Sequence, residues 1–365
     1  MPLPEEICEI TVGGNRYRDW KTVEVALEFP GLFRRFALSV TEQVNAGGVP
    51  FNFASLQIKP ADECKVTLGG ELAVSGFVYE RQTAMNATTH GVQILGQSRV
   101  GDTTLGSIDH KAAGQNGQYE DKSLVTIATD VLKPYGIKVE QKGDTGPMNE
   151  PLKDVQVRVN ETPHQLIERL ARVKGVFIGD DAQGNMILYG GLKGQSSAPA
   201  SGSVLVEGEN IEQMRVIITD RQLANPYIAM GQASADDKTW GKKTAQREYR
   251  VEGKGRYRPA ILPMERGMSR DRIDVELKRR IDFEKAWREG TQIQAEIVVY
   301  GWHKPGGGLW RAAPDEIVSV HSPSALLGQD LAVHKLIFSQ DSARGTITTL
   351  SLLNLEYYLG SELQI

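Results

Sequence analysis

The chain of 365 residues contains only two cysteines, Cys8 and Cys64. With no CxxC and no Cys/His spacing, they make neither a disulfide framework nor a zinc site, and a reducing compartment fits best. Long apolar runs are also missing. No stretch of about 18 apolar residues occurs, so no membrane-spanning helix and no stable membrane insertion is expected. The opening Met-Pro-Leu-Pro-Glu-Glu has neither a basic nor an apolar leader region, so no export signal is expected. A net charge of -4 excludes the strongly basic balance of a whole-molecule nucleic-acid footprint. Charge is uneven, however: residues 247–289 hold 13 Lys or Arg against 9 Asp or Glu, so one basic face and an acidic remainder are expected.

Catalytic constellations are equally scarce. The six histidines (His90, His110, His164, His303, His321, His334) are scattered, none at i,i+4 from another or beside a Cys or a carboxylate pair with ligand spacing, whereas a metal needs several converging ligands. No G-x-S-x-G elbow appears. Gly306-Gly307-Gly308 has no helix after it and no closing Gly-Lys-Ser/Thr, so it reads as a hairpin tip and not a phosphate cradle. We therefore expect no catalytic, cofactor-binding or metal-ligating residues, no cofactor and no enzymatic activity.

What the chain does have is short alternating strands. Residues 8–12, 22–27 and 36–40 each alternate with period two, and Gly13-Gly14-Asn15 marks a hairpin. A second hairpin joins 65–68 to 72–79 through Gly69-Gly70, with 91–96 as a partner strand. After Gln97 the character changes. Ser123 caps a helix carrying Leu124, Ile127, Ala128, Val131 and Leu132, stopped by Pro134 and Gly136. Thr162, Pro163 and Gln165 form a capping box ahead of Leu166, Ile167, Leu170 and Ala171, and Gly175 ends that helix before a hairpin of 176–178 with 186–189.

Residues 195–203 are small and flexible and read as a crossing between domains. Strands resume at 204–206, 214–219 and 227–231, and a long helix over 268–289 aligns Ile273, Leu277 and Ile281, with Asp274/Lys278 and Glu276/Arg280 at supporting spacing. The final third reads as a small antiparallel barrel: Gly301-Trp302, the glycine run, Leu309-Trp310, a strand through Ala313 to Val320, then strands over 330–339 and 345–355. Trp302 and Trp310 sit at strand ends beside glycines, which favours core or subunit packing over stacking a base or sugar, and Trp310 is expected to be buried where this barrel closes. Arg34-Arg35 and Lys278-Arg279-Arg280 are cationic enough to meet a phosphate backbone, but a solvated face or an interface ion pair is the commoner role.

The expected fold is mainly β with an α/β insertion: two similar small barrels flanking an α/β domain. The expected units are residues 1–97, a first barrel completed by 203–219; residues 98–202, the α/β domain; and residues 220–365, a second barrel with an inserted helix at 268–289.

In this order, "ITVGGNRYRDWKTVEVALEFPGLFRRFALSVTEQ", "KVTLGGELAVSGFVYERQ", "HGVQILGQSRVGDTTLGSID", "NETPHQLIERLARVKGVFIGDDAQGNMILYGG" and "GGGLWRAAPDEIVSV" with "GTITTLSLLNLEYY" resemble the baseplate hub proteins of contractile-tailed phages, of the Mu tail protein P type. The likeness spans nearly the whole chain. It implies two tube barrels, the first interrupted by the α/β domain, in a homotrimer whose six barrels form a pseudo-sixfold ring. That ring adapts a hexameric tail tube to a trimeric cell-puncturing spike, and genome DNA passes through its lumen without specific binding. It places the protein in the virion tail baseplate, assembled in the host cytoplasm. The alternatives are the equivalent hub of a tailocin or type VI-like injection device and, from a different class, a cell-wall glycan-binding or peptidoglycan-cleaving protein.

Overall fold

The fold is that of a computed structural model, which describes residues 4–31, 33–43, 57–85, 89–111, 113–114, 116–191, 203–231, 247–263 and 273–358. The first lobe contains β1 (Cys8–Val12), β2 (Asn15–Tyr17), β3 (Thr22–Glu28), β4 (Arg35–Gln43), β5 (Glu63–Leu68), β6 (Glu71–Met85) and β7 (Thr89–Ser98). They neighbour one another in the order β3-β4-β7-β6-β5-β1-β2, every pair antiparallel. The alternation seen in the sequence turns Val23, Val25 and Leu27 of β3, Phe36 and Leu38 of β4, and Cys64, Val66 and Leu68 of β5 into the core. Gly13 and Gly14, at φ 56° and 82°, supply the left-handed backbone of the β1–β2 turn.

The α/β unit contains β8 (Gln118–Ser123), α1 (Leu124–Leu132), β9 (Val139–Lys142), α2 (Gly146–Asn149), β10 (Pro151–Gln156), α3 (Pro163–Lys174), β11 (Phe177–Asp180) and β12 (Met186–Tyr189). Its caps are those expected. Ser123 accepts from the Thr126 amide, the Thr162 hydroxyl oxygen accepts from the Gln165 backbone amide at 3.2 Å, and Gln165 Oε1 accepts from the Thr162 backbone amide at 3.0 Å. Both helices turn their apolar stripes into a core of their own, around Leu124, Ile127, Leu166, Leu170 and Leu188. The β8–β10 pair, poor in apolar residues, is not evident from periodicity.

The remainder holds β13 (Val204–Val206), β14 (Gln213–Ile218), β15 (Tyr227–Gly231), β16 (Arg247–Val251), β17 (Ala260–Pro263), α4 (Ile273–Gly290), β18 (Ile293–Tyr300), β19 (Ala313–Ser322), β20 (Leu327–Asp341) and β21 (Gly345–Asn354). The sheet of this second lobe runs β14-β18-β21-β20-β19-β13. Between β14 and β18 the chain makes a detour: β16-β15-β17 forms a separate sheet on which α4 lays Ile273, Leu277 and Ile281. The part of the expected helix that precedes Ile273 lies outside the described residues.

One expectation is overturned. Residues 203–219 do not complete the first barrel: β13 pairs in parallel with β19, and β14 pairs antiparallel with β18. The physical reason is that the outer edge of β3, where a further strand could extend the first lobe, is already bonded to β20, from Lys335 opposite Glu28 to Gln340 opposite Val23. The two lobes thus share one 13-stranded sheet and one continuous core. β20 makes the join by changing neighbours at a bulge between Val333 and Lys335, facing β19 before it and β3 after it.

The lobes also repeat one another. In chain order β3, β4, β5, β6, β7 corresponds to β14, β18, β19, β20, β21, and the spatial order β3-β4-β7-β6-β5 matches β14-β18-β21-β20-β19. β6 and β20 are each 15 residues long and each bulged, between Val78 and Glu80 and between Val333 and Lys335. The sixth slot breaks the repeat, since β1 lies antiparallel to β5 and β13 parallel to β19.

Candidate functional site

Among the described residues no group of three or more His, Cys, Asp or Glu side chains converges as a metal site. His164 is buried and His334, in a separate place, is half-buried; burial pushes both imidazoles down, whereas His321 is exposed and His303 lies 3.5 Å from Glu71. Cys8 and Cys64 are buried free thiols, and burial pushes both up to about 12, which leaves them inert. Among the described residues the chemically distinctive places are the joints between units and the sheet edges without a strand partner.

At the joint of the first lobe with the α/β unit, Asp180 ends β11 fully enclosed. The Arg34 backbone amide donates to its Oδ2 at 2.9 Å, Ser98 Oγ donates to the same oxygen, and the Arg34 guanidinium lies 3.4 Å from Oδ1 and donates to the Ala73 carbonyl at 2.8 Å. Burial raises the Asp180 pKa, and the Arg34 charge opposes that rise. At the joint with α4, Arg279 grips Glu150 with two bonds of 2.7 and 2.8 Å while Lys174 approaches to 3.4 Å. The Arg279 hydrogen bonds foremost bring the Glu150 carboxyl down to about 2.

Between these joints lies an aromatic cluster, Phe29, Phe177, Tyr189, Phe283, Tyr357 and Tyr358, with ring centroids 4.8 to 6.4 Å apart. His334, at the bulge where β20 changes partner, donates from Nδ1 to the Phe29 carbonyl at 3.0 Å, and Tyr358 donates to the same oxygen. The cleft beside it, lined by Arg34, Asp180, Tyr189, Trp310 and Arg311, measures about 250 Å3.

The cationic segments singled out in the sequence are largely absorbed in ion pairs. Arg34 and Arg279 serve the joints, Arg280 pairs with Glu284, Arg256 and Arg258 meet Asp220, and Lys254 meets Glu289 and Glu356. Trp302 and Trp310 are each 1 % exposed, which bears out the packing role. Between them Gly307 and Gly308 turn at φ 88° and 77°, and Glu316, without exposed surface, is held by Lys304 at 2.7 Å and Arg311 at 2.9 Å. Sequence reasoning does not reveal Asp180 or Glu150. The one available signal for Asp180 is a carboxylate closing an otherwise apolar strand, Phe177-Ile178-Gly179-Asp180.

Comparison with known proteins bears on all of this. Residues 7–98 match the N-terminal domain of Mu phage baseplate assembly protein GpP-like proteins, residues 108–190 the second domain of baseplate hub protein gp44-like proteins, and residues 273–360 the fourth domain of Mu phage baseplate assembly protein GpP. The chain belongs to the Mu-type baseplate hub family. Baseplate hub protein gp44 of Escherichia phage Mu is 23% identical over 353 residues, covering 95% of this chain and 87% of that protein. The 43 kDa tail protein of prophage MuSo2 from Shewanella oneidensis superposes with a TM-score of 0.80 at 26% identity, over 97% of this chain and 100% of that one. A type VI secretion component from E. coli, described as structurally similar to T4 tail proteins gp27 and gp5, shares the fold alone: TM-score 0.54 at 9% identity, over 96% of this chain and 78% of that one. A baseplate hub of a phage tail, mainly β with an α/β insertion, is what the sequence reading anticipated.

Proposed function

We propose that three copies of this baseplate hub close into a ring that adapts a hexameric tail tube on one side to a trimeric spike on the other. The observation that carries this reading is the repeated strand order of the two lobes, joined in one sheet. Two like lobes per copy and three copies present six similar docking positions, while the α/β units and the detour between β14 and β18 keep the true threefold. The joints make each copy rigid enough for that role: a buried ion pair, a bidentate clamp and an aromatic cluster tie three units together. In this reading the ring lumen forms part of the DNA channel without reading sequence, the protein performs no catalysis and needs no cofactor, and it assembles in the host cytoplasm before joining the virion. The fold likeness to a type VI secretion component supports the related reading of a hub in a tailocin or type VI-like injection device, with the same ring geometry. Electron microscopy and light scattering of the purified chain test the proposal. Threefold rings with a central hole are expected, and a monomer at all concentrations, with or without tube or spike partners, overturns it.

A further inference from the structure

The repeat, taken residue by residue, identifies the surface that joins one copy to the next. Setting the two bulges on one another places Lys335 of β20 on Glu80 of β6. Following the ladders outward then places Leu350 on Ile94, Ile297 on Leu38, and Met214, Val216 and Ile218 of β14 on Val23, Val25 and Leu27 of β3. Leu350, Ile94, Ile297 and Leu38 are all without exposed surface, as equivalent core positions demand.

Within one copy, the outer edge of β3 is covered by residues 335–340 of β20. The equivalent edge of β14 has no strand partner among the described residues, and neither does the edge of β6 beyond Val78, the counterpart of that segment of β20. Burial records the difference. Leu27 is 4 % exposed and its counterpart Ile218 51 %; Phe338 is 0 % exposed, whereas its counterpart Thr83 is exposed and Met85, at the end of the same strand, is 77 % exposed. A six-residue strand with half-exposed Ile217 and Ile218 at a sheet edge is a template for another strand. At the other end of the sheet, β2 is three residues long and polar, as protected edges are.

We propose that the second half of β6 in one copy pairs antiparallel with the free edge of β14 in the next copy, repeating between copies the β20–β3 join within each. The transferred register sets Arg81 opposite Ile218, Gln82 opposite Ile217, Thr83 opposite Val216 and Met85 opposite Met214. The contact is head to tail, so it uses two different surfaces of the same chain and closes only as a ring. This inference rests on the trimer proposed above and names the surface that forms it.

The test is a double variant, Gln82→Cys with Ile217→Cys, oxidised in the full-length chain. Directly opposed residues lie within disulfide reach, and the native thiols are buried and inert. Covalent dimers and trimers are expected on denaturing gels, with neither single variant giving them. Gln82→Cys with Val216→Cys, one residue out of register, is expected to lose at least tenfold in yield because its side chains point to opposite faces. Ile217→Lys is expected to leave the circular dichroism spectrum unchanged and to release monomers. If the unaltered chain is trimeric yet the in-register pair does not cross-link, or Ile217→Lys stays trimeric, this inference fails and the trimer stands. An unaltered chain that is monomeric at all concentrations overturns both.

Discussion

The two lobes have the same strand order and different surroundings, and the difference shows how one sheet topology acquires two roles. In the first lobe β3 passes to β4 within a few residues and its outer edge is occupied by β20, so its core face is sealed. In the second lobe the corresponding step from β14 to β18 carries a sheet and an 18-residue helix, and the outer edge of β14 has no strand partner among the described residues. The lobes are also anchored to the α/β unit by unlike chemistry. The first uses the enclosed Arg34–Asp180 pair, and the second uses the partly solvated Arg279–Glu150 clamp. Equivalent backbone positions therefore carry unequal energetic weight, which mutation resolves.

The largest effects belong to groups enclosed on every side. Arg34→Ala leaves the Asp180 carboxylate buried without its charge partner and is expected to cost about 3–5 kcal/mol in urea unfolding. Trp310→Ala, which empties the plug of the second lobe, is expected to cost a similar ~3–5 kcal/mol and to lower the melting temperature before it affects any partner binding. Full thermal stability together with lost partner attachment assigns Trp310 to a docking surface instead.

The Arg279–Glu150 clamp is smaller because water reaches it. Arg279→Ala is expected to cost about 1.5–3 kcal/mol, the range for hydrogen bonds to charged groups. The Glu150 carboxyl is held down from 4.5 to about 2 in the folded chain, so its stabilisation is fully present above pH 4.5 and is lost as pH falls towards 2. Unfolding of the unaltered chain and of Arg279→Ala across that interval should converge at the acid end. Parallel curves show that the clamp does not titrate.

The smallest effect sharpens the comparison of edges most directly. Leu27→Ala is expected to cost about 2–5 kcal/mol, whereas Ile218→Ala at the corresponding place on β14 is expected to stay within ±0.5 kcal/mol in the monomeric chain. Equal costs in dilute monomer deny that the β14 edge is open.

Much of the fold was legible locally. Strands such as Thr22–Glu28 and Glu63–Leu68 declare themselves because one face is buried and the other wet, which writes a period of two into the chain. The helix ends at Ser123, Thr162 and Gly175 declare themselves because caps satisfy backbone groups within a few residues. The strands Gln118–Ser123 and Arg247–Val251 stayed hidden because neither buries a regular apolar face. The repeat stayed hidden because equivalent residues differ where surroundings differ: Phe338 and Leu336 cover a core at positions where β6 has Thr83 and Arg81.

By itself, then, the sequence determined the mainly β class, the capped helices, the buried tryptophan plug and, through its ordered motifs, the likeness to baseplate hubs. Those features depend on periodicity, capping and turns, whose partners lie close along the chain. Only the tertiary structure decided that Val204–Val206 and Gln213–Ile218 belong to the second lobe, that β20 fuses the lobes across about 300 residues of chain, and that Asp180 and Glu150 meet Arg34 and Arg279. Strand edges carry identical backbone donors and acceptors whatever their side chains, so which edge meets which is settled by the space the folded core leaves open.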